Sequence, residues 1–181
     1  LSNDSTTRGY LTPVGDGPAY DEALEQEIGR WISGVAGLPA GQVLPLWNAP
    51  QPPAQPDGTT WCEFSIAAVP RPLSQSDVQV SDEQSEQWTW EEIAVSCSFY
   101  GPLSATTCAN FRAGMFIEQN NAELNLSGLS LVDAGAIKSL PALIDNQRVR
   151  RYDLSVTLSR KNTRTYNIRT LKSASTHYFG E

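Results

Sequence analysis

One stretch, Trp88 to Gly101, limits the possible folds more than any other. From Ile93 onward it alternates: Ile93, Val95, Cys97 and Phe99 share one face of an extended chain, and Ala94, Ser96 and Ser98 share the other. A period of two marks a half-buried strand in an antiparallel sheet, and Gly101-Pro102 ends it. Upstream the phase differs, with Trp88 and Trp90 opposite the later apolar set. Either a bulge near Glu91-Glu92 resets the register and buries both rings at home, or the two indoles face something other than this domain's own core.

A second alternating segment closes the chain. In Val149 to Arg160, Tyr152, Leu154, Val156 and Leu158 interleave with Asp153, Ser155, Thr157 and Ser159. Lys161-Asn162 reads as a tight turn, with Thr163 to Leu171 returning and Tyr166 and Ile168 facing in. Arg148, Arg150, Arg151, Arg160, Lys161, Arg164, Arg169 and Lys172 decorate this expected hairpin and its flanks.

The rest of the chain supplies helices and connections. Residues 1–17 are polar and read as a flexible N-terminal arm, and 173–181 as a C-terminal tail. Asp16-Gly17-Pro18 opens a helix in which Tyr20, Leu24, Ile28, Trp31 and Val35 recur at helical spacing, and Gly37 stops it. A proline-dense connection follows, with Pro45, Pro50, Pro52, Pro53 and Pro56. Prolines at this density suit an extended surface segment, either an arm lying on a neighbouring subunit or a plain loop. Thr60 to Val69 alternates as a strand, Val78 and Val80 start a short one, and Trp88-Thr89-Trp90 looks like its return. Ser81 to Gln87, with Asp82, Glu83 and Glu86, would be a long acidic tip between them. Ser104 is placed to cap a helix running to about Asn120, with Ala105, Cys108, Phe111 and Met115 inward. Leu129 to Ile137 reads as a strand interrupted at Gly135, and Ser139 to Ile144 as a bend or short helical turn. The expectation is one α+β domain over 18–172: a mainly antiparallel sheet with two amphipathic helices on one face.

Composition narrows the chemistry. The 181 residues suffice for one domain with a real core. No run reaches the length of a membrane span and no leader segment is legible, although the chain opens at Leu1 and is expected to lack its initiating end. Cys62, Cys97 and Cys108 sit in apolar patterns without metal spacing and read as small core residues of a reducing compartment. His177 is the single histidine and lies near the C-terminus, so a His-based triad or general acid–base site is not expected. No glycine-rich phosphate loop, zinc cluster or acidic calcium loop is present, so no cofactor and no metal are expected. Glu91 and Glu92 are adjacent strand residues, point to opposite faces, and cannot share a site. The net charge of −7 is lopsided. Residues 1–145 hold 5 basic and 18 acidic side chains, a net of −13, and 146–181 hold 8 and 2, a net of +6. Such polarity suits copies of one chain attracting each other, or a nucleic acid on the basic segment. Against the second, the basic segment lacks interleaved exposed aromatics and the chain is acidic overall.

Three clusters resemble a known family. They are Trp90-Glu91-Glu92-Ile93 running to Ser98-Phe99-Tyr100-Gly101, Arg151-Tyr152-Asp153-Leu154 with Val156 and Leu158, and Arg164-Thr165-Tyr166-Asn167-Ile168. Together they resemble the neck or tail terminator proteins of long-tailed bacteriophages, over roughly Tyr20 to Leu171. The resemblance implies an α+β virion subunit, assembled in the host cytoplasm, that forms a six-fold ring capping the tail tube. Such a ring ends tube polymerisation and meets the head connector, and in contractile tails also the last sheath layer; DNA passes through its lumen. No reaction is implied, and another head–tail connector or completion ring is the nearest alternative. On this reading Trp88, Trp90, Asp82, Glu83, Glu86, Arg148, Arg150, Arg151, Arg160, Lys161 and Arg164 are the expected subunit or partner contacts.

Overall fold

The computed structural model describes residues 9–47, 58–66, 71–144 and 146–169. Prolines 50, 52, 53 and 56, Lys172, His177 and the C-terminal tail lie outside them. In chain order the elements are β1 (Pro13–Val14), α1 (Asp21–Ala36), a 3-10 turn (Ala40–Gln42), β2 (Val43–Pro45), β3 (Trp61–Ile66), β4 (Arg71–Ser81) and β5 (Gln84–Tyr100). Then come α2 (Ser104–Gly114), α3 (Glu118–Leu126), β6 (Leu129–Ala134), β7 (Lys138–Ser139), β8 (Ala142–Ile144), β9 (Gln147–Val149) and β10 (Arg151–Asn167). Eight strands form one sheet in the order β1-β10-β5-β3-β2, with β4 also paired to β5, and β6 and β7 to β10; β8 and β9 pair separately. The molecule is α+β, and every pairing whose register is defined is antiparallel except β2 with β3.

The chain divides into two compact units. The larger, Ala19–Pro72 with Glu91–Lys161, holds the hydrophobic core. One face of α1 supplies Leu24, Ile28, Trp31 and Ile32, and they meet Phe64, Ile93, Val95, Phe99, Leu154, Val156 and Leu158 from the strands. Phe111 of α2 joins the two layers, its ring 5.2 Å from Trp31 and 5.6 Å from Phe99. α1 lies on Phe64 at Gly29, where a Cβ would sit 3.4 Å from the ring, at ordinary contact distance. The smaller unit comprises Leu1–Pro18, Leu73–Trp90 and Asn162–Glu181. Among its described residues no large apolar side chain is buried; only Thr89 and Asn162 are. Its order comes from the ladder: Pro13 and Val14 pair with Tyr166 and Thr165, and the Ile168 amide donates to the Glu83 carbonyl at 2.9 Å.

Several expectations need correcting. Lys161-Asn162 makes no turn: β10 runs unbroken for 17 residues. A two-residue hairpin turn of the favoured kind needs positive φ at its centre, and neither residue has it. The inward phase continues instead through Arg160 and Asn162, both buried. The acidic tip is also shorter than expected. β5 starts at Gln84, leaving Asp82 and Glu83 as the turn after β4. Among the described residues there are three helices rather than two. The second ends at Gly114, where a Cβ would lie 2.8 Å from Val35 and where the Asn120 side-chain amide donates to the Gly114 carbonyl at 2.8 Å. Ser104 is the first helical residue and not the cap; its hydroxyl donates to the Gly101 carbonyl. The buried set on α2 includes Thr107 and Cys108, while Ala105 is exposed. Ala142–Ile144 is a strand, not a bend, and Val43–Pro45 within the expected proline-rich loop is another. Pro45 is tolerated because β2 is an edge strand. β6 carries a bulge opposite Thr157/Leu158, which lets Leu129 and Ala134 both face inward.

Candidate functional site

Burial along β5 alternates without interruption from Thr89 through Glu91, Ile93, Val95, Cys97 and Phe99. No bulge resets the phase. Trp90 therefore lies on the face away from the core set, 36% exposed, and Trp88 lies half-buried with its indole Nε1 donating to Glu86 at 2.8 Å. Asp82 and Glu83 are exposed at the neighbouring turn.

The same alternation puts a carboxylate, Glu91, into the interior at 5% exposure, while Glu92 is exposed. Burying a lone charge is prohibitively costly, and the fold answers it with Arg160. The guanidinium Nε lies 3.2 Å from Glu91 Oε2, with side-chain exposures of 4% and 7%. Arg160 also donates to the Ala19 carbonyl and sits 4.4 Å from the centre of the Tyr20 ring. The Tyr20 hydroxyl donates to Glu91 Oε1 at 2.6 Å. Four groups from three distant chain segments thus fix where α1 begins. Tyr20 is its N-cap without a side-chain cap, and Asp21 adopts a left-handed φ of 49°. Arg160, expected as a partner contact, is therefore an internal tie. Glu91, Tyr20 and Ala19 were not foreseen as its partners; the one available signal was that Arg160 continues the inward phase of Leu154, Val156 and Leu158.

Arg151 is also engaged at home. Its Nε and Nη2 bind Asp153 at 2.7 and 2.8 Å, and it lies 5.6 Å from the Tyr100 ring centre. Tyr100 stacks on Trp61 at 4.2 Å and donates to Glu63 at 3.3 Å. Burial, reinforced by the Glu63 carboxylate and opposed by Arg151, pushes the Tyr100 hydroxyl up to about 12. The hydrogen bond to Asp153 raises Arg151 further above its ordinary value. Arg148 and Arg150 are exposed on and after β9, Lys161 is exposed on β10, and Arg164 is half-buried in the smaller unit. The expected basic cluster is thus divided: Arg148, Arg150, Arg151, Arg160 and Lys161 belong to the larger unit, and Arg164, Trp88, Trp90, Asp82, Glu83 and Glu86 to the smaller.

The three cysteines are free and buried. Burial, then Cys97, pushes the Cys108 thiol up to about 12, and burial raises Cys62 as well. A thiol held in that state is not a nucleophile. Among the described residues no cluster of three or more His, Cys, Asp or Glu could hold a metal ion, and no helix is long and apolar enough to cross a membrane. An open groove lies on the larger unit between α1 and α3.

The described polar side chains tie to one another across an α+β framework, and charge is segregated along the chain. The chain belongs to the phage neck terminator protein family: the family's model matches residues 22–181. It is a structural protein of the phage virion, working with other head and tail proteins. Comparison with curated proteins finds no match.

Proposed function

We propose that copies of this chain close head to tail into a six-fold ring at the head–tail junction. The ring caps the tail tube, ends its growth and joins the tail to the head connector, with DNA passing through its lumen and, in a contractile tail, the sheath against its rim. The observation that carries this reading is membership of the neck terminator family over most of the chain. Charge placement supports it. Heterologous ring contacts need two different, complementary flanks on each subunit. Asp21, Glu22, Glu118 and Glu123 are exposed on the helices, and Arg148, Arg150 and Lys161 on or beside β9 and β10. Trp88 and Trp90 are proposed partner contacts beside the acidic turn. Negatively charged lumen loops would let DNA pass without binding, because phosphate finds no cation there to displace its counterions.

Negative-stain imaging of the purified protein, and of tails assembled with and without it, tests the reading. Closed rings of fixed copy number and tails of one length are expected. A protein that stays single and leaves tail length unaltered overturns it. An adaptor or stopper ring, the nearest alternative, would change head completion and not tail length. Filter retention of DNA that falls steeply with salt would favour the nucleic-acid reading instead.

A further inference from the structure

Two features of the larger unit match each other and do not meet within one copy. The first is the β8–β9 hairpin, which stands outside the main sheet. Its register sets Leu143 opposite Arg148, so both side chains leave by the same face. That face is open: Leu143 is 66% exposed and Arg148 is exposed. Ala142, Ile144 and Val149, on the other face, are half-buried. A two-stranded hairpin is marginal in water unless a surface covers it.

The second feature is the groove between α1 and α3, of about 400 Å³, a size that admits a small ligand or a few side chains. Trp31, Val35 and Leu124 give it an apolar floor, and Leu126 lies on its lip, 81% exposed. Glu27 and Glu123 stand on the rim with Arg30. Over the two helices as a whole, Asp21, Glu22, Glu25, Glu27, Glu118 and Glu123 face Arg30 alone. The crowding is felt: the Glu25 carboxyl is raised above its ordinary value, by burial first and then by Asp21 and Glu22. Among the described residues, none from the hairpin lines the groove of its own copy.

We infer that the β8–β9 hairpin of one copy docks in the α1–α3 groove of the next, with Leu143 on the floor and Arg148 against Glu27 and Glu123. The hairpin brings an apolar side chain and a cation on one face; the groove offers an apolar floor and an acidic rim. The contact joins two different surfaces, so it propagates from copy to copy as a ring requires. It rests on the ring reading and specifies which surfaces form the seam.

Charge exchange on the full-length protein tests it, read by sedimentation and by oxidative cross-linking. Arg148→Glu alone, or Glu123→Arg alone, should weaken assembly by about tenfold or more, because like charges then face each other. Both substitutions in one chain should restore assembly, because each copy then presents a matched pair to its neighbour. Circular dichroism should be unchanged in all three, since both residues are exposed. A Leu143→Cys, Leu126→Cys variant should give a ladder of covalent oligomers on mild oxidation, whereas either single variant should not. If the parent assembles and the charge variants assemble as readily, the seam assignment falls and the ring reading stands. If the parent does not assemble and the double-cysteine variant does not ladder at any concentration, both fall.

Discussion

Replacing Glu91 by leucine tests the tie that sets the start of α1. Glu91 and Arg160 sit 3.2 Å apart with side-chain exposures of 7% and 4%. At an effective dielectric of about 20, two unit charges at that distance attract by about 5 kcal/mol, most of which offsets desolvation. The pair therefore contributes little net stability, yet removing one member leaves the other's buried charge without its counter-ion. That loss is about 3–5 kcal/mol. For a chain of this length each kcal/mol moves the melting midpoint by about 2–4 °C, so Glu91→Leu should lower Tm by roughly 6–20 °C. Arg160→Met should cost a similar amount, since the buried Glu91 carboxylate then loses its counter-ion. The double variant Glu91→Leu, Arg160→Met should recover most of both losses, because an apolar pair of similar volume is often neutral or stabilising there. Urea denaturation of the four proteins closes the cycle, with an expected coupling above about 2 kcal/mol. Single losses below about 1 kcal/mol, or a double loss equal to the sum of the singles, would refute the buried-pair argument.

Other outcomes follow from the same geometry. Gly101→Ala should destabilise by more than about 3 kcal/mol in urea denaturation, since φ is +98° and the added Cβ would lie 2.2 Å from the Thr59 carbonyl oxygen. Phe111→Ala should cost about 3–5 kcal/mol in the same assay by opening a cavity between Trp31 and Phe99. Stability should fall as pH rises from 9 towards 12. Burial pushes the Cys108 thiol and the Tyr100 hydroxyl up to about 12 in the folded chain, above their ordinary values of 9.0 and 10.0, so the unfolded chain binds fewer protons in that window. Urea midpoints taken across pH 8–11 check the slope, and Cys108→Ala should flatten it. Arg151→Glu should perturb the Asp153 and Tyr100 contacts and be visible in near-ultraviolet circular dichroism.

The alternating cores of β5 and β10 were legible because apolar periodicity is a local signal. Ile93 to Phe99 and Leu154 to Leu158 are buried in the phase the sequence indicates. The stripe of α1 and its stop at Gly37, with φ +68°, were legible for the same reason. What failed was the rule that polar residues end strands. Arg160-Lys161-Asn162 looks like a turn because nothing near it in sequence could neutralise a buried cation. Its partner Glu91 stands 69 residues earlier, and the Ala19 carbonyl 141 residues earlier. Only the assembled sheet brings them together. The consequence reaches the candidate interface. A cluster of cations read as one surface hairpin divides into an internal tie at Arg160, a satisfied pair at Arg151, and exposed charges at Arg148, Arg150 and Lys161. Phase could have separated Arg160 from Lys161, since a continuous strand sends them to opposite faces. It could not have shown that Arg148 shares a hairpin face with Leu143, because that depends on the turn at Asn146, whose φ is +66°. Local patterns therefore locate the sheet. Which cation the buried carboxylate takes emerges only once the strands are assembled.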